Sequence, residues 1–224
     1  IDPEGATPTY SYEWQLGGQA QTSYTSSSLP SSATSKGEQW TVVVTPNDGI
    51  ADGIAGTASV VIGNTAPTVG SVTVTPMGTV YNGDVLTCSA SVSDPDETPT
   101  TTYEWTIGGS VVGSGSTLDL STTGTMPGDT VVCTVTATDS DLDSDTGSGS
   151  QSVGNRSPSI TASLSTNGTN QNAELTCVGT AIDPDGESPT VTYEWFNGTT
   201  SLGSFNPLSL DSTLASSGDV IDCV

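Results

Sequence analysis

The chain has 224 residues, with 25 Asp or Glu, two Lys or Arg and no His, giving a net charge of −23 and a pI of about 4.1. Such a chain has no cationic surface with which to displace the counterions of nucleic acid, and anionic membranes are disfavoured for the same reason. Without His, neither a Ser-His-Asp nor a Cys-His system can be assembled within it, and no stretch approaches the roughly 20 apolar residues of a membrane span.

Only 12 % of residues are charged, and Ser, Thr and Gly supply most of the polarity. Low hydrophobicity with high net charge would favour disorder. Against that, apolar residues alternate cleanly with polar ones around Trp, Cys and Val. The tripeptide Tyr-Glu-Trp recurs at Tyr12-Glu13-Trp14, Tyr103-Glu104-Trp105 and Tyr193-Glu194-Trp195. Each copy follows an acidic turn: Asp2-Pro3-Glu4, Asp94-Pro95-Asp96 or Asp183-Pro184-Asp185. The period of about 90 residues is that of one small β-sandwich, so the sequence predicts an all-β tandem array.

In chain order, residues 1–63 read as a partial repeat holding strands three to seven, with the sixth at Trp40 to Thr45 and the seventh at Thr57 to Ile62. Residues 64–154 read as a complete seven-stranded repeat. Its second strand is predicted at Asp84 to Val92, its third at Thr101 to Ile107 and its sixth at Asp129 to Thr138. Val111-Val112, Leu118 to Leu120 and Thr146 to Val153 are weaker strands. In the sixth, Val131, Cys133, Val135 and Ala137 face one way and Thr134 and Thr136 the other, the period of a strand with one buried face. Residues 155–224 repeat the scheme without the last strand, with the third strand at Val191 to Trp195 and the sixth at Val220 to Val224. The short linkers are Asn64-Thr65-Ala66-Pro67 and Asn155-Arg156-Ser157-Pro158, where Pro fixes the backbone. The chain begins in mid-repeat without a visible signal peptide and reads as a window on a longer repetitive polypeptide, with strand exchange between subunits of a polymer as the alternative.

Four cysteines allow three pairings. The repeat selects Cys88 with Cys133 and Cys177 with Cys223, one bridge per unit between its second and sixth strands. Bridges would mean an oxidising, extracytoplasmic location. The competing readings are buried thiols or metal ligation, the latter without a Cys-x-x-Cys or His to support it. The first repeat has Val42 in place of the second Cys, and Trp40 supplies extra volume there.

The sets Cys88…Trp105…Cys133 and Cys177…Trp195…Cys223 resemble the immunoglobulin superfamily, whose inter-sheet disulfide packs on a buried Trp. Val131 stands where antibody domains carry the Tyr of the tyrosine corner. The resemblance is therefore to the immunoglobulin-like repeats of large bacterial surface proteins. It implies core roles for Trp14, Trp105 and Trp195. It also implies that the loop after the second strand lies beside the loop after the sixth, facing the preceding repeat. That would gather Asp94, Asp96, Glu97, Asp139, Asp141, Asp143 and Asp145, with Asn64 alongside. Hard oxygen ligands suit calcium, and the arrangement resembles calcium-stiffened cadherin junctions. Thinner sets are Asp2, Glu4, Asp48 and Asp52 in the first repeat, and Asp183, Asp185 and Glu187 in the third. The plain alternative is solvated Asp-Pro and Asp-Gly turns.

Acidic residues that recur in every repeat do not form one distinctive cleft, so no enzyme is expected. The expected role is structural: an extracellular surface stalk, fibre or filament, self-associating or joined to neighbouring repeats, with an adhesin binding a glycan or protein receptor as the alternative. Asn155, Asn167 and Asn197 sit in Asn-x-Ser/Thr triplets open to glycosylation in a suitable host.

Overall fold

The computed structural model describes residues 7–224, so Asp2, Pro3 and Glu4 lie outside the described residues. The protein is all-β, with antiparallel sheets of three and four strands and two short 3-10 turns at Ser31–Ala33 and Leu120–Thr122.

In the first repeat, β1 (Thr9–Leu16), β2 (Gln19–Ala20), β3 (Gln39–Asn47) and β4 (Gly56–Val61) form one sheet in the order β2-β1-β3-β4. Trp40 is buried and meets the Tyr24 ring edge-on, with centroids 6.1 Å apart. Trp14 lies opposite Val42, in the register where Trp105 meets Cys133 in the next repeat. It is half-buried rather than enclosed, because among the described residues no second sheet covers that face.

The middle repeat contains β5 (Thr68–Thr75), β6 (Val85–Ser93), β7 (Thr100–Ile107), β8 (Ser110–Ser114), β9 (Thr117–Asp119), β10 (Thr130–Thr138) and β11 (Ser144–Ser152). They make two sheets, β5-β6-β9 and β11-β10-β7-β8. Both sheets contribute to one core: Val74 and Leu86 from the first meet Trp105, Val131, Cys133 and Val135 from the second. The alternation expected in β10 holds, with Val131, Cys133, Val135 and Ala137 all buried. The Cys88–Cys133 disulfide ties β6 to β10 across 45 residues. Closing a loop of that size stabilises by about 4 kcal/mol in the chain-entropy model. The predicted strand at Leu118 to Leu120 stops at Asp119, because the Asp119 carboxylate accepts the Ser121 N–H and turns the chain into the 3-10 turn.

The third repeat contains β12 (Ser159–Thr166), β13 (Glu174–Ile182), β14 (Trp195–Asn197), β15 (Thr200–Gly203), β16 (Leu208–Ser209) and β17 (Ile221–Cys223). Its sheets are β12-β13-β16 and β15-β14-β17, joined by Cys177–Cys223. The predicted strand from Val191 is shorter than expected and begins at Trp195. Glu194 pairs with Val224, and residues 191–193 have no ladder partner among the described residues. The sixth strand is correspondingly shorter than Val220 to Val224. All three Tyr-Glu-Trp indoles donate to a backbone carbonyl: Trp14 to Ser26 at 2.9 Å, Trp105 to Gly115 at 2.9 Å and Trp195 to Phe205 at 2.6 Å. A buried indole N–H needs such a partner.

Candidate functional site

The recurring acidic turns fasten the linkers that precede them. In the middle repeat, Asp94 Oδ1 accepts the N–H groups of Asp96 and Glu97 at 2.7 and 3.2 Å. In the third, Asp183 Oδ1 accepts the Asp185 N–H at 2.7 Å. Side-chain acceptance two residues on is the Asx turn, and the intervening Pro pre-sets its backbone. The turn presents the second carboxylate of each Asp-Pro-Asp to the incoming chain. Asp96 Oδ2 accepts the Thr65 N–H at 2.7 Å, and Asp185 Oδ2 accepts the Arg156 N–H at 2.5 Å. Thr65 and Arg156 occupy the same place in the two Asn-x-x-Pro linkers.

At the first junction, the loop after β6 meets the loop after β10. Glu97 accepts both the N–H and the hydroxyl of Ser140, at 2.6 and 2.8 Å. Asp139 is buried. Its Oδ1 takes the N–H groups of Asp141 and Asp143, at 3.0 and 2.9 Å, and its Oδ2 takes the Asn64 amide at 2.7 Å. The Asn64 amide also reaches Asp143, at 3.0 Å. Lys36, from the first repeat, closes this face. Its ammonium pairs with Asp141, lies 3.7 Å from Glu97 and donates to the Ser140 hydroxyl at 3.3 Å. The hydrogen bond with Asp141 raises the Lys36 pKa, against desolvation. Ser140 holds Glu97 below the usual carboxylate range, and Asn64 does the same for Asp139.

Of the seven carboxylates expected to gather here, Asp94, Glu97 and Asp139 each offer an oxygen within 4.8 Å of the others. Asp141 is engaged by Lys36 and Asp143 by Asn64. Asp96 and Asp145 are turned onto backbone N–H groups, of Thr65 and Val69 respectively. Two buried acceptors here, Asn64 Oδ1 and Asp94 Oδ2, have no hydrogen-bond partner among the described residues. Orphaned acceptor oxygens beside a carboxylate cluster fit the donor set of a hard cation such as calcium. In the first repeat Asp48 accepts the N–H groups of Ile50 and Ala51, and Asp52 accepts the Asn47 amide.

Arg156 closes the second junction. Nε and Nη2 both reach Asp185 Oδ1, at 2.9 and 2.8 Å, and Nη2 also donates to Asn82 Oδ1 and the Pro184 carbonyl, each at 2.8 Å. Its guanidinium carbon lies 5.1 Å from the centroid of the Tyr81 ring, within cation–π range. Asn82 Nδ2 donates back to the Asp185 carbonyl at 2.6 Å. Tyr81 and Asn82 belong to the middle repeat, Asp185 to the third. The Asp185 side chain is fully enclosed. Burial pushes its pKa up, but the Arg156 N–H, hydrogen bonds and charge outweigh that and hold it below the usual carboxylate range.

Lys36 and Arg156 were not singled out as site residues from sequence. The signal was there, since they are the chain's only basic side chains. Of the candidate glycosylation sites, Asn197 already spends its amide on Leu214 and Asp219. Both disulfides fit an oxidising environment, and among the described residues no helix is long and apolar enough to cross a membrane. No protein-family model and no curated protein matches the chain.

Proposed function

We propose that this protein is an extracellular structural repeat protein, a segment of a surface stalk, fibre or filament built from tandem immunoglobulin-like β-sandwiches. Its work is mechanical: to span distance while resisting bending and unfolding. One observation carries the reading. In a chain of net charge −23, both basic side chains sit at junctions between repeats, and each junction also has its linker N–H held by an Asp-Pro-Asp turn. A chain so acidic repels itself, and cations placed at the joints offset that repulsion where bending would occur. The crosslinks restrict unfolding within the middle and third repeats.

The test is small-angle scattering of the chain beside the double variant Lys36→Gln, Arg156→Gln. The native protein is expected to scatter as one rod of defined length, and the variant as a flexible string with a shorter mean end-to-end distance. Equal flexibility of the two would overturn the reading.

The orphaned oxygens of Asn64 and Asp94 favour a second element, calcium at the first junction held by Asp94, Glu97 and Asp139. Bound there, the ion would neutralise the cluster and tie the linker to both loops. Because Lys36 already serves Glu97, binding is expected in the millimolar range. Millimolar calcium should raise the melting temperature of the native chain above its value in chelator, and should not do so for Asp94→Asn, Asp139→Asn. An unchanged melt in both removes calcium from the account.

A further inference from the structure

The sequence holds one Lys and one Arg, so it offers a Lys- or Arg-directed protease only the bonds Lys36–Gly37 and Arg156–Ser157. A protease of the trypsin class takes the side chain before the scissile bond into an acidic pocket, and the backbone around that bond must open locally to reach it. Both basic side chains are committed to junctions, but the two bonds are guarded differently.

Lys36–Gly37 is held by the first repeat's own fold. The N–H of the scissile bond is that of Gly37, which donates to the Ile62 carbonyl at 2.9 Å from a turn with φ +81°. Glu38 closes the turn. Its side chain accepts the Ser35 N–H at 2.8 Å, and its N–H donates to the Ser35 carbonyl at 3.2 Å. Separating Lys36 from Asp141 leaves all of these bonds in place.

Arg156–Ser157 lies in the linker between the middle and third repeats. Neither residue belongs to a strand, and among the described residues the Ser157 N–H meets no acceptor. The junction alone holds this site: Asp185 takes the Arg156 N–H, and Asp185, Asn82 and the Pro184 carbonyl take its guanidinium. Asp185 thus engages the guanidinium as the acidic pocket of a protease would. The Arg156 side chain is still 38 % exposed, so the bond lies at the surface and a local opening is enough to free it.

The position of the bond gives a single cut a large effect. Cys88–Cys133 lies wholly before it and Cys177–Cys223 wholly after it. Neither disulfide spans the linker, so cleavage parts the two crosslinked repeats and leaves each bridge intact.

We infer that Arg156–Ser157 is a conditional processing site for an Arg-directed serine protease, closed while the second junction is docked and open when it separates. Hydrolysis adds water across the bond: the C–N bond breaks, Arg156 keeps a carboxylate and Ser157 a new amine. Cleavage of a transiently opened site follows the population of the open form when opening and closing are fast, so the contacts of Asp185 and Asn82 set the rate. The inference uses the geometry of the junction and needs neither the mechanical role nor calcium.

The experiment digests the full, unreduced chain with trypsin at neutral pH and follows the products by intact mass. The native chain is expected to be cut slowly and first at Arg156, giving fragments 1–156 and 157–224 without reductant. Asp185→Asn should be cut there at least about tenfold faster, because the Arg156 N–H and guanidinium lose a charged acceptor, while Lys36–Gly37 stays intact. Asn82→Ala removes only the middle repeat's share of the lock and should give a smaller acceleration at the same bond. Hydrogen exchange across β13 reports whether each variant keeps the third repeat folded. If Asp185→Asn loses that protection, Asn82→Ala decides, since Asn82 lies outside the third repeat. Equal cleavage of the native chain and a folded variant, or first cleavage at Lys36, would overturn the inference.

Discussion

The two junctions hold their linkers with different chemistry. At the first, Lys36 reaches across to Asp141 and Glu97 with a compact ammonium, and all three side chains keep partial contact with water. At the second, Arg156 divides its donors among Asp185, Asn82 and Pro184 and faces Tyr81, while the carboxylate it serves is enclosed. A point charge in a wet site is screened by salt and contributes modestly. A planar fork against an enclosed carboxylate fixes direction as well as distance, and its removal leaves a buried charge uncompensated. The second junction is therefore expected to be the stiffer and the first the more adjustable.

The sharpest way to break this contrast is Arg156→Ala. Asp185 would stay enclosed without its partner, and the third repeat should lose on the order of 10 °C in melting temperature, resolved from the other repeats by hydrogen exchange across β13. Arg156→Lys should recover only part of the loss, because an ammonium cannot serve Asp185, Asn82 and Pro184 in one plane. Full recovery would show that charge alone matters and would erase the distinction.

Acidification should give the next largest effect. The Asp185 carboxyl is depressed below its ordinary value in the folded state, so its contribution is present above the unfolded pKa and is lost as pH falls through the folded one. Melting of the third repeat followed from neutral pH down to about pH 2 should show this loss, and it should be absent in Asp185→Asn.

Lys36→Gln should move the melting temperature by less than about 4 °C while broadening the distances between spin labels on the first and middle repeats. The smallest effect is expected from salt. Raising it from about 0.05 M to about 1 M should broaden those same distances in the native chain and leave those across the Arg156 junction unchanged. Equal sensitivity of both junctions would remove the contrast between them.

Much of this was legible in the sequence because strands report themselves by alternation. The faces of β6 and β10, the cysteine pairing and the placement of Trp105 and Trp195 followed from period-two patterns and the repeat, and the folded protein has them. Trp14 was harder to read: its strand is as clear as the others, but enclosure depends on what lies across the sheet. The loops after β6 and β10 meet where Glu97 accepts from Ser140. Which oxygen meets which donor was not legible, because Asp96 and Asp145 spend themselves on backbone N–H groups of other segments.

By itself the sequence determined the period, the crosslinks and the long strands such as β6 and β10, because each rests on residues whose physical preferences are local or are repeated at a fixed interval. Only the tertiary structure decided that two isolated cations would find carboxylates 105 and 29 residues further along the chain, Lys36 with Asp141 and Arg156 with Asp185. Ion pairs depend on how segments meet in space, and no pattern along the chain encodes that meeting.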